Sequence, residues 1–355
     1  MRSKKNGNKE IKDICNILVV TKNWLGDAVC TTPAIRAIKE TYKEASVSVL
    51  SHPRCVQIFE GNSDLSSVIP FEIRRGVRSL FDQVRLLKIL KSHAFDTVFV
   101  LHRSRSMAFL TFLSGIKYRV GYGTKGRGVF LTHPVSTPKD EDMHMIAYHL
   151  NLLEECGIKA RSWDCIFPVS KEDENAAEKL IKELGLSNED RIILIGPGGN
   201  WDRKRWPASY FAKLIDIVSD RYNVRIVLTG SQKDAYLADI IMTRTKNPPY
   251  NAMGKTTLKS FGALLKRSRL YIGNDSGPTH IAAALAVPLI AIFGPTEPKL
   301  TGPLGKGNIA VLVNSVGCTL PCHESFCDDL RCIESVLVDD VVAEVKKVLE
   351  TPFNG

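Results

Sequence analysis

The sequence predicts an α/β fold made of two doubly wound parallel sheets, and three observations predict it. Short apolar runs of strand length alternate with helical patterns along nearly the whole chain. The same order of strand, glycine-bearing loop and helix opens near Asn16 and again near Arg191. The 355 residues exceed what one hydrophobic core usually supports, so two domains are expected, and a 44% hydrophobic content supplies apolar material for both.

In the first half, residues 16–20 read as a buried parallel strand, and Thr21 to Asp27 as the loop at its carboxyl end. A helix follows, with Ile35, Ile38 and Tyr42 at helical spacing and Pro33 in an early turn. Residues 47–50, 68–71 and 97–101 are further strands, with a helix from Leu80 to Leu90 between the last two. His102 to Arg105 follows a strand end, so Arg103 and Arg105 stand where open α/β sheets bind ligands. Lys117 to Tyr122 and Lys125 to Arg127 read as basic, glycine-rich loop, and a helix around His144 to Cys156 closes the domain.

Phe167 to Ser170 reads as the linker, which sets the domains at 1–168 and 169–355. The helix from Glu172 to Leu184 stops at Gly185. A strand at residues 191–195 leads into Gly196 to Pro207, where Gly198 and Gly199 expose backbone N–H groups beside Arg203, Lys204 and Arg205. That pairing suits a diphosphate. The strand at 224–228 ends near Asp234, a position at which nucleotide-binding folds hold a ribose. The strand at 270–272 enters the turn Gly273 to Pro278, which precedes a buried helix at 281–286. Its glycines admit a close ligand and its N–H groups suit an anion; the bland alternative is that Asp275 or Ser276 caps the helix. A strand at 289–293 and a closing helix at 336–349 complete the chain.

The formal charge is +10, and between Glu72 and Arg127 twelve Lys/Arg face three Asp/Glu. Nucleic acid, an anionic membrane surface, a phosphorylated substrate or a solvated basic face would each account for it. No apolar run suits a signal-peptide core or a membrane span, since Pro288 breaks the longest, so the expected location is cytoplasmic. Five cysteines are scattered, as buried free thiols are in that compartment. Cys318, Cys322, Cys327 and Cys332 instead cluster in a loop at 318–332 with His323; zinc, a redox-sensitive loop and coincidence all stay open, because the C-x2-C pairs usual for zinc are missing. The loops carry neither a Walker phosphate motif nor the dinucleotide glycine fingerprint.

Four motifs in order carry a resemblance: Gly26-Asp27-Ala28-Val29 with Thr32-Pro33-Ala34-Ile35-Arg36; Lys204-Arg205-Trp206-Pro207; Asn274 to His280; and Phe293-Gly294-Pro295-Thr296. Together they resemble the bacterial lipopolysaccharide heptosyltransferases of glycosyltransferase family 9, from about Ile17 to Leu349. The resemblance implies the GT-B architecture, two Rossmann-like domains facing a central cleft. It implies an inverting transfer of heptose from an ADP-activated donor to the lipid A inner core or its first heptose, with no metal and no cofactor beyond the sugar nucleotide. Asp27 then matches the general base and Lys204 the lysine on the donor phosphates. Asp275, Ser276, Gly277, Pro278 and His280 match the donor-site turn, with Asp234, Gly198 and Gly199 beside it. Gly26, Arg103 and Arg105 fall on the acceptor side, where a phosphate-rich acceptor lies on the inner face of the cytoplasmic membrane. The alternatives are another nucleotide sugar or a protein acceptor within the family and, from a different class, a basic nucleic-acid-binding protein.

Overall fold

Twelve short, mostly apolar runs pair into two sheets, and the computed structural model describes residues 14–74, 76, 78–138, 143–322 and 327–350 of them and their connections. The chain divides into two compact units, Met1–Trp163 and Asp164–Gly355. The division precedes the expected linker, because Phe167 and Val169 fill the space beside Gly262, and Lys259 donates to the Pro168 carbonyl at 2.7 Å. Residues 167–169 therefore pack within the second unit, Phe167 buried there.

In the first unit the elements run β1 (Asn16–Val20), α1 (Leu25–Val29), α2 (Thr32–Thr41), β2 (Ser46–Ser51), α3 (Val56–Phe59) and β3 (Ser67–Pro70). They continue as α4 (Arg78–Ser92), β4 (Thr97–Val100), α5 (Arg105–Leu113), β5 (Tyr118–Tyr122), β6 (His133–Val135) and α6 (Met145–Glu154). The sheet order is β3-β2-β1-β4-β5-β6, parallel throughout. The central strands read as unbroken apolar runs because both their faces are covered: residues 17–20 and 97–100 are all buried.

The second unit runs α7 (Lys171–Glu183), β7 (Ile192–Gly196), α8 (Ala208–Arg221), β8 (Arg225–Leu228), α9 (Ala235–Met242), β9 (Tyr250–Asn251) and α10 (Leu258–Lys266). It continues as β10 (Leu270–Asn274), α11 (Gly277–Ala284), β11 (Leu289–Ile292), α12 (Pro298–Thr301), β12 (Ile309–Leu312), α13 (Arg331–Glu334) and α14 (Val338–Glu350). Its order, β12-β11-β10-β7-β8-β9, is that of the first unit read from the other edge. In each sheet the order reverses beside the first strand, between β1 and β4 and between β7 and β10. Ligands of open parallel sheets bind outside the carboxyl ends at such a reversal.

Three sequence expectations change. Lys117 to Tyr122 is not loop but the strand β5, paired with β4. Gly26 and Asp27 sit in the first turn of the short helix α1 rather than on a free loop. Gly273 and Asn274 end β10, so the turn shrinks to Asp275 and Ser276.

Buried Asn274 joins the loops of the second unit. Its Oδ1 accepts from the Trp206 N–H at 3.0 Å, and its Nδ2 donates to the carbonyls of Pro197 at 2.8 Å and Gly198 at 3.1 Å. The Trp206 indole, 1% exposed, donates to the Val336 carbonyl at 2.8 Å and so carries the tie to the start of α14. Asn274→Ala leaves one N–H and two carbonyls in the interior without partners, a loss of about 2–4 kcal/mol. Urea denaturation followed by tryptophan fluorescence is expected to show the second unit's midpoint moving down accordingly; an unchanged midpoint would mean that water replaces the amide at no cost.

Candidate functional site

At the reversal of the first sheet, β1 delivers Lys22 and Asp27 and β4 delivers His102 and Arg103. The loop before α1 is fixed from several sides. Thr21 N–H donates to the Leu50 carbonyl at 3.2 Å, the Cys55 thiol to the Asn23 carbonyl at 3.4 Å, and the Arg54 guanidinium lies 5.1 Å from the centroid of the Trp24 ring. Burial pushes the Cys55 thiol up to about 12, so it stays a neutral donor. Within this frame Lys22 Nζ donates to Asp27 Oδ1 at 2.6 Å, and the second carboxylate oxygen has no hydrogen-bond partner among the described residues. A cleft of about 250 Å³ opens at the same strand ends, between His52 and Glu72 on one side and His102, Ser104 and Ser106 on the other.

The charge at this end comes from Lys and Arg rather than from imidazole. Burial lowers the pKa of His102, the positive charges of Lys22 and Arg127 add to that, and Asp27 opposes it. Arg127 is fully buried and donates to the carbonyls of Tyr122 and His102, which ties the loops after β4 and β5 together. Arg103, exposed, lies over the Tyr148 ring at 4.3 Å. Arg105 is exposed at the first residue of α5, behind Ser104, whose hydroxyl caps that helix.

At the reversal of the second sheet, Asp275 follows β10 and Lys204 lies in the loop after β7. Lys204 Nζ donates to Asp275 Oδ2 at 2.5 Å, and Thr296 Oγ1 donates to the same oxygen at 2.7 Å. The Trp201 ring lies 5.2 Å from the ammonium. Ser276 is the N-cap of α11, but neither it nor Asp275 makes a side-chain cap hydrogen bond there. The Ser276 capping alternative therefore fails; Pro278 has no N–H and the Thr279 N–H donates to the Ser276 carbonyl at 3.2 Å, so Gly277 carries the helix N–H that keeps its capacity for an anion. Ser276, Gly277 and Pro278 are partly exposed, whereas Asp275 and His280 on either side of them are buried.

Two glycine readings are corrected. A Cβ at Gly273 would meet the Tyr271 ring at 2.7–2.9 Å, and one at Gly196 would meet the same hydroxyl, so these glycines make room for a buried tyrosine and not for a ligand. A Cβ at Gly198 would strike the Asp234 carboxyl at 2.8 Å, whereas Gly199 meets only ordinary contacts. Asp234 itself is engaged internally: Ser231 Oγ donates to Oδ2 at 2.6 Å and Arg205 Nη2 to Oδ1 at 3.2 Å. Sequence reasoning assigned no role to Lys22, His102 or Thr296. Their signal was position alone, a polar residue within a few places of a strand's carboxyl end.

Cys318, Cys322, Cys327 and Cys332 line one small apolar cavity of about 40 Å³ with Arg203 and Pro295. All four are free thiols, and His323 lies outside the described residues. Burial first, then the neighbouring thiols, raises the Cys332 pKa. Among the described residues no group of three or more His, Cys, Asp or Glu is placed to hold a metal ion.

The family model for glycosyltransferase family 9 (heptosyltransferase) matches residues 83–328. Lipopolysaccharide heptosyltransferase 2 of Salmonella typhimurium is 27% identical over 298 residues, covering 81% of this chain and 85% of that protein. Lipooligosaccharide heptosyltransferase 2 of Campylobacter jejuni is 28% identical over 342 residues, 95% of this chain and 99% of that one. Among solved structures, the E. coli ADP-heptose LPS heptosyltransferase II aligns with TM-score 0.77 at 23% identity, over 94% of this chain and 98% of that chain. A family 9 glycosyl transferase from Veillonella parvula aligns with TM-score 0.82 at 22% identity, over 96% and 98%. The two parallel six-stranded sheets are thus the α/β fold of the GT-B heptosyltransferases.

His149, 1% exposed on α6, has no hydrogen-bond partner on either ring nitrogen among the described residues. Burial, then the charges of Lys22, Arg103 and His144, pushes its pKa down to about 3. The unfolded imidazole titrates near about 6.5. Between those values the unfolded chain binds the extra proton, so this group's contribution to stability falls as pH drops from the unfolded value through the folded one. His149→Leu is expected to be neutral or stabilising by about 1 kcal/mol at neutral pH, since it removes orphaned polar atoms. Urea midpoints at about pH 7 and about pH 4.5 are expected to lie closer together in the variant than in the parent. Equal spacing in the two would place the acid lability on another group.

Proposed function

The chain belongs to glycosyltransferase family 9 (heptosyltransferase), and on that premise we propose that it transfers heptose from ADP-heptose to a lipopolysaccharide inner-core acceptor with inversion at the anomeric carbon. One observation carries the reading. The two sheets share one strand order, and their reversal points hold different chemistry: a carboxylate with an available oxygen in the first unit, a lysine held by Asp275 just before the N-terminus of α11 in the second.

Asp27 acts as general base in this reading. Its oxygen not held by Lys22 takes the proton of an acceptor hydroxyl as that oxygen forms its bond to the sugar's anomeric carbon. The bond from that carbon to the diphosphate breaks on the opposite face, and its electron pair leaves on ADP. The charge that grows there is met by Lys204 and by the Gly277 N–H at the start of α11, with Gly199 and the accessible Ser276 to Pro278 beside them. Asp275 and Thr296 hold the lysine at that position. Asp234, His280 and Gly198 serve the same half of the site as supports, since their side-chain space is already filled or buried. Gly26, Arg103 and Arg105, with Lys22, line the acceptor side, where phosphate and carboxylate groups of a membrane-borne core are the ligands. The protein works at the cytoplasmic face of the inner membrane; among the described residues no helix is long and apolar enough to cross one.

Asp27→Asn is expected to lower kcat by about 10²–10⁴ while ADP-heptose still raises the melting temperature. Lys204→Met is expected to act in the opposite sense and abolish that ligand-induced rise. An Asp27→Asn enzyme with most of its turnover would remove Asp27 as the base. A rise with UDP-sugars and none with ADP-heptose would replace the donor.

A further inference from the structure

Seven large apolar side chains are exposed between residues 80 and 129, in the segment that also carries the excess of basic residues. On α4, Asp82, Leu86 and Leu90 face inward, while Leu80, Phe81 and Val84 occupy the outer face at 67%, 70% and 48% exposure. On α5, Phe109, Phe112 and Leu113 share one outer face, at the i, i+3, i+4 spacing of a helix surface. The Phe130 ring packs edge-on against Phe109 at 5.2 Å and tilted against Phe112 at 5.9 Å, and its neighbour Val129 is 77% exposed. Soluble proteins rarely leave so large a group of apolar side chains on one face without a partner for it.

The charges around this face have one sign. Arg85 and Lys88 follow Phe81 and Val84 by one helical turn, and Arg78 and Lys125 add exposed positive charge. The three acids of the segment are all occupied elsewhere. Glu72 lies 3.3 Å from His52; Asp82 is held by Arg74 through its backbone N–H and guanidinium; Asp96 accepts from the N–H groups of Cys15 and Asn16. Arg74 thereby keeps the Asp82 carboxyl well below the usual range, and the pair fixes the entry to α4.

We propose that the outer faces of α4 and α5, with Val129, form the surface by which the protein docks on an anionic lipid bilayer, the apolar side chains entering the headgroup boundary and the basic ones meeting lipid phosphate. Aliphatic Leu80, Val84, Leu113 and Val129 have no π face to offer a nucleic-acid base, and this favours lipid over RNA or DNA. Leu80, Phe81 and Val84 lie in the first half of α4, which follows β3, so this part of the docking face is nearest the sheet end that carries Asp27, while Phe112 and Leu113 lie in the last turn of α5. The inference deepens the proposed function and rests on it for the identity of the membrane-borne acceptor; the contact itself rests on this surface alone.

The test is flotation of the full-length protein, without donor or acceptor, with vesicles of phosphatidylcholine alone or with about 30% phosphatidylglycerol. The protein is expected to float with the anionic vesicles, and less in high salt. Phe81→Ser/Phe112→Ser is expected to lower the bound partition at least about tenfold with an unchanged melting temperature. The same variant is expected to keep its turnover on a deacylated, water-soluble acceptor and lose it on acceptor embedded in vesicles. Failure of ADP-heptose turnover in the parent protein would overturn the proposed function and leave the flotation result standing. Absence of flotation at low salt, or equal flotation of the variant, would overturn the docking surface. So would a dimer that the variant dissolves, or RNA binding that the variant loses.

Discussion

The second unit's site depends on a buried amide. Parallel strands end with backbone groups that no neighbour completes, and the loops leaving them are free to take many paths. Asn274 removes that freedom by serving two carbonyls and one N–H of the loop after β7 from the last position of β10. The next residue, Asp275, then meets Lys204 from the far end of that loop, and the ammonium is placed without any ligand. Trp206 carries the same constraint to Val336, so the C-terminal helix supports the site although it contributes no group to it.

The fold was legible in the sequence because parallel strands buried on both faces are written as short apolar runs. Residues 16–20 and 192–195 could be read with little ambiguity, and so could the twofold repeat. Elements with a broken or very short apolar pattern were not legible. β5 interrupts its apolar residues with Arg119 and Gly121, and β9 has two residues, too few for any pattern. Asp27 was found by its place after a strand, yet its turn of helix was missed because Leu25–Val29 is shorter than a period can show. Gly273, and Gly196 beside it, were misread. A glycine that makes room for a tyrosine looks, in one dimension, like a glycine beside a phosphate; Gly196, Gly273 and Tyr271 become one packing unit only when β7 and β10 are paired in register, with Gly196 beside Gly273.

Electrostatics separates groups that composition lumps together. Histidines near the first site would suggest a pH-sensitive cationic cleft, but burial and the neighbouring Lys22, Arg103 and Arg127 keep His102 and His149 uncharged. Positive charge close to these two imidazoles is therefore that of Lys22, Arg103 and Arg127, and not their own.

The two aspartates at the sheet reversals differ in the same way. Asp275 has a side chain 6% exposed, and one of its oxygens is shared by an ammonium and a hydroxyl. Taking that ion pair out of water is costly, and only close, well-donated geometry offsets the cost. Its shared oxygen is what positions the Lys204 ammonium, so Asp275 serves as a holding group. Asp27, 20% exposed, shares a single oxygen with a lysine that is itself 32% exposed. Its other oxygen makes no hydrogen bond among the described residues, so that oxygen is not part of a packed arrangement. Two halves with one strand order thus arrive at different electrostatics, because the acid after β10 is enclosed beside the loop that Asn274 holds down and the acid after β1 keeps a fifth of its side chain exposed.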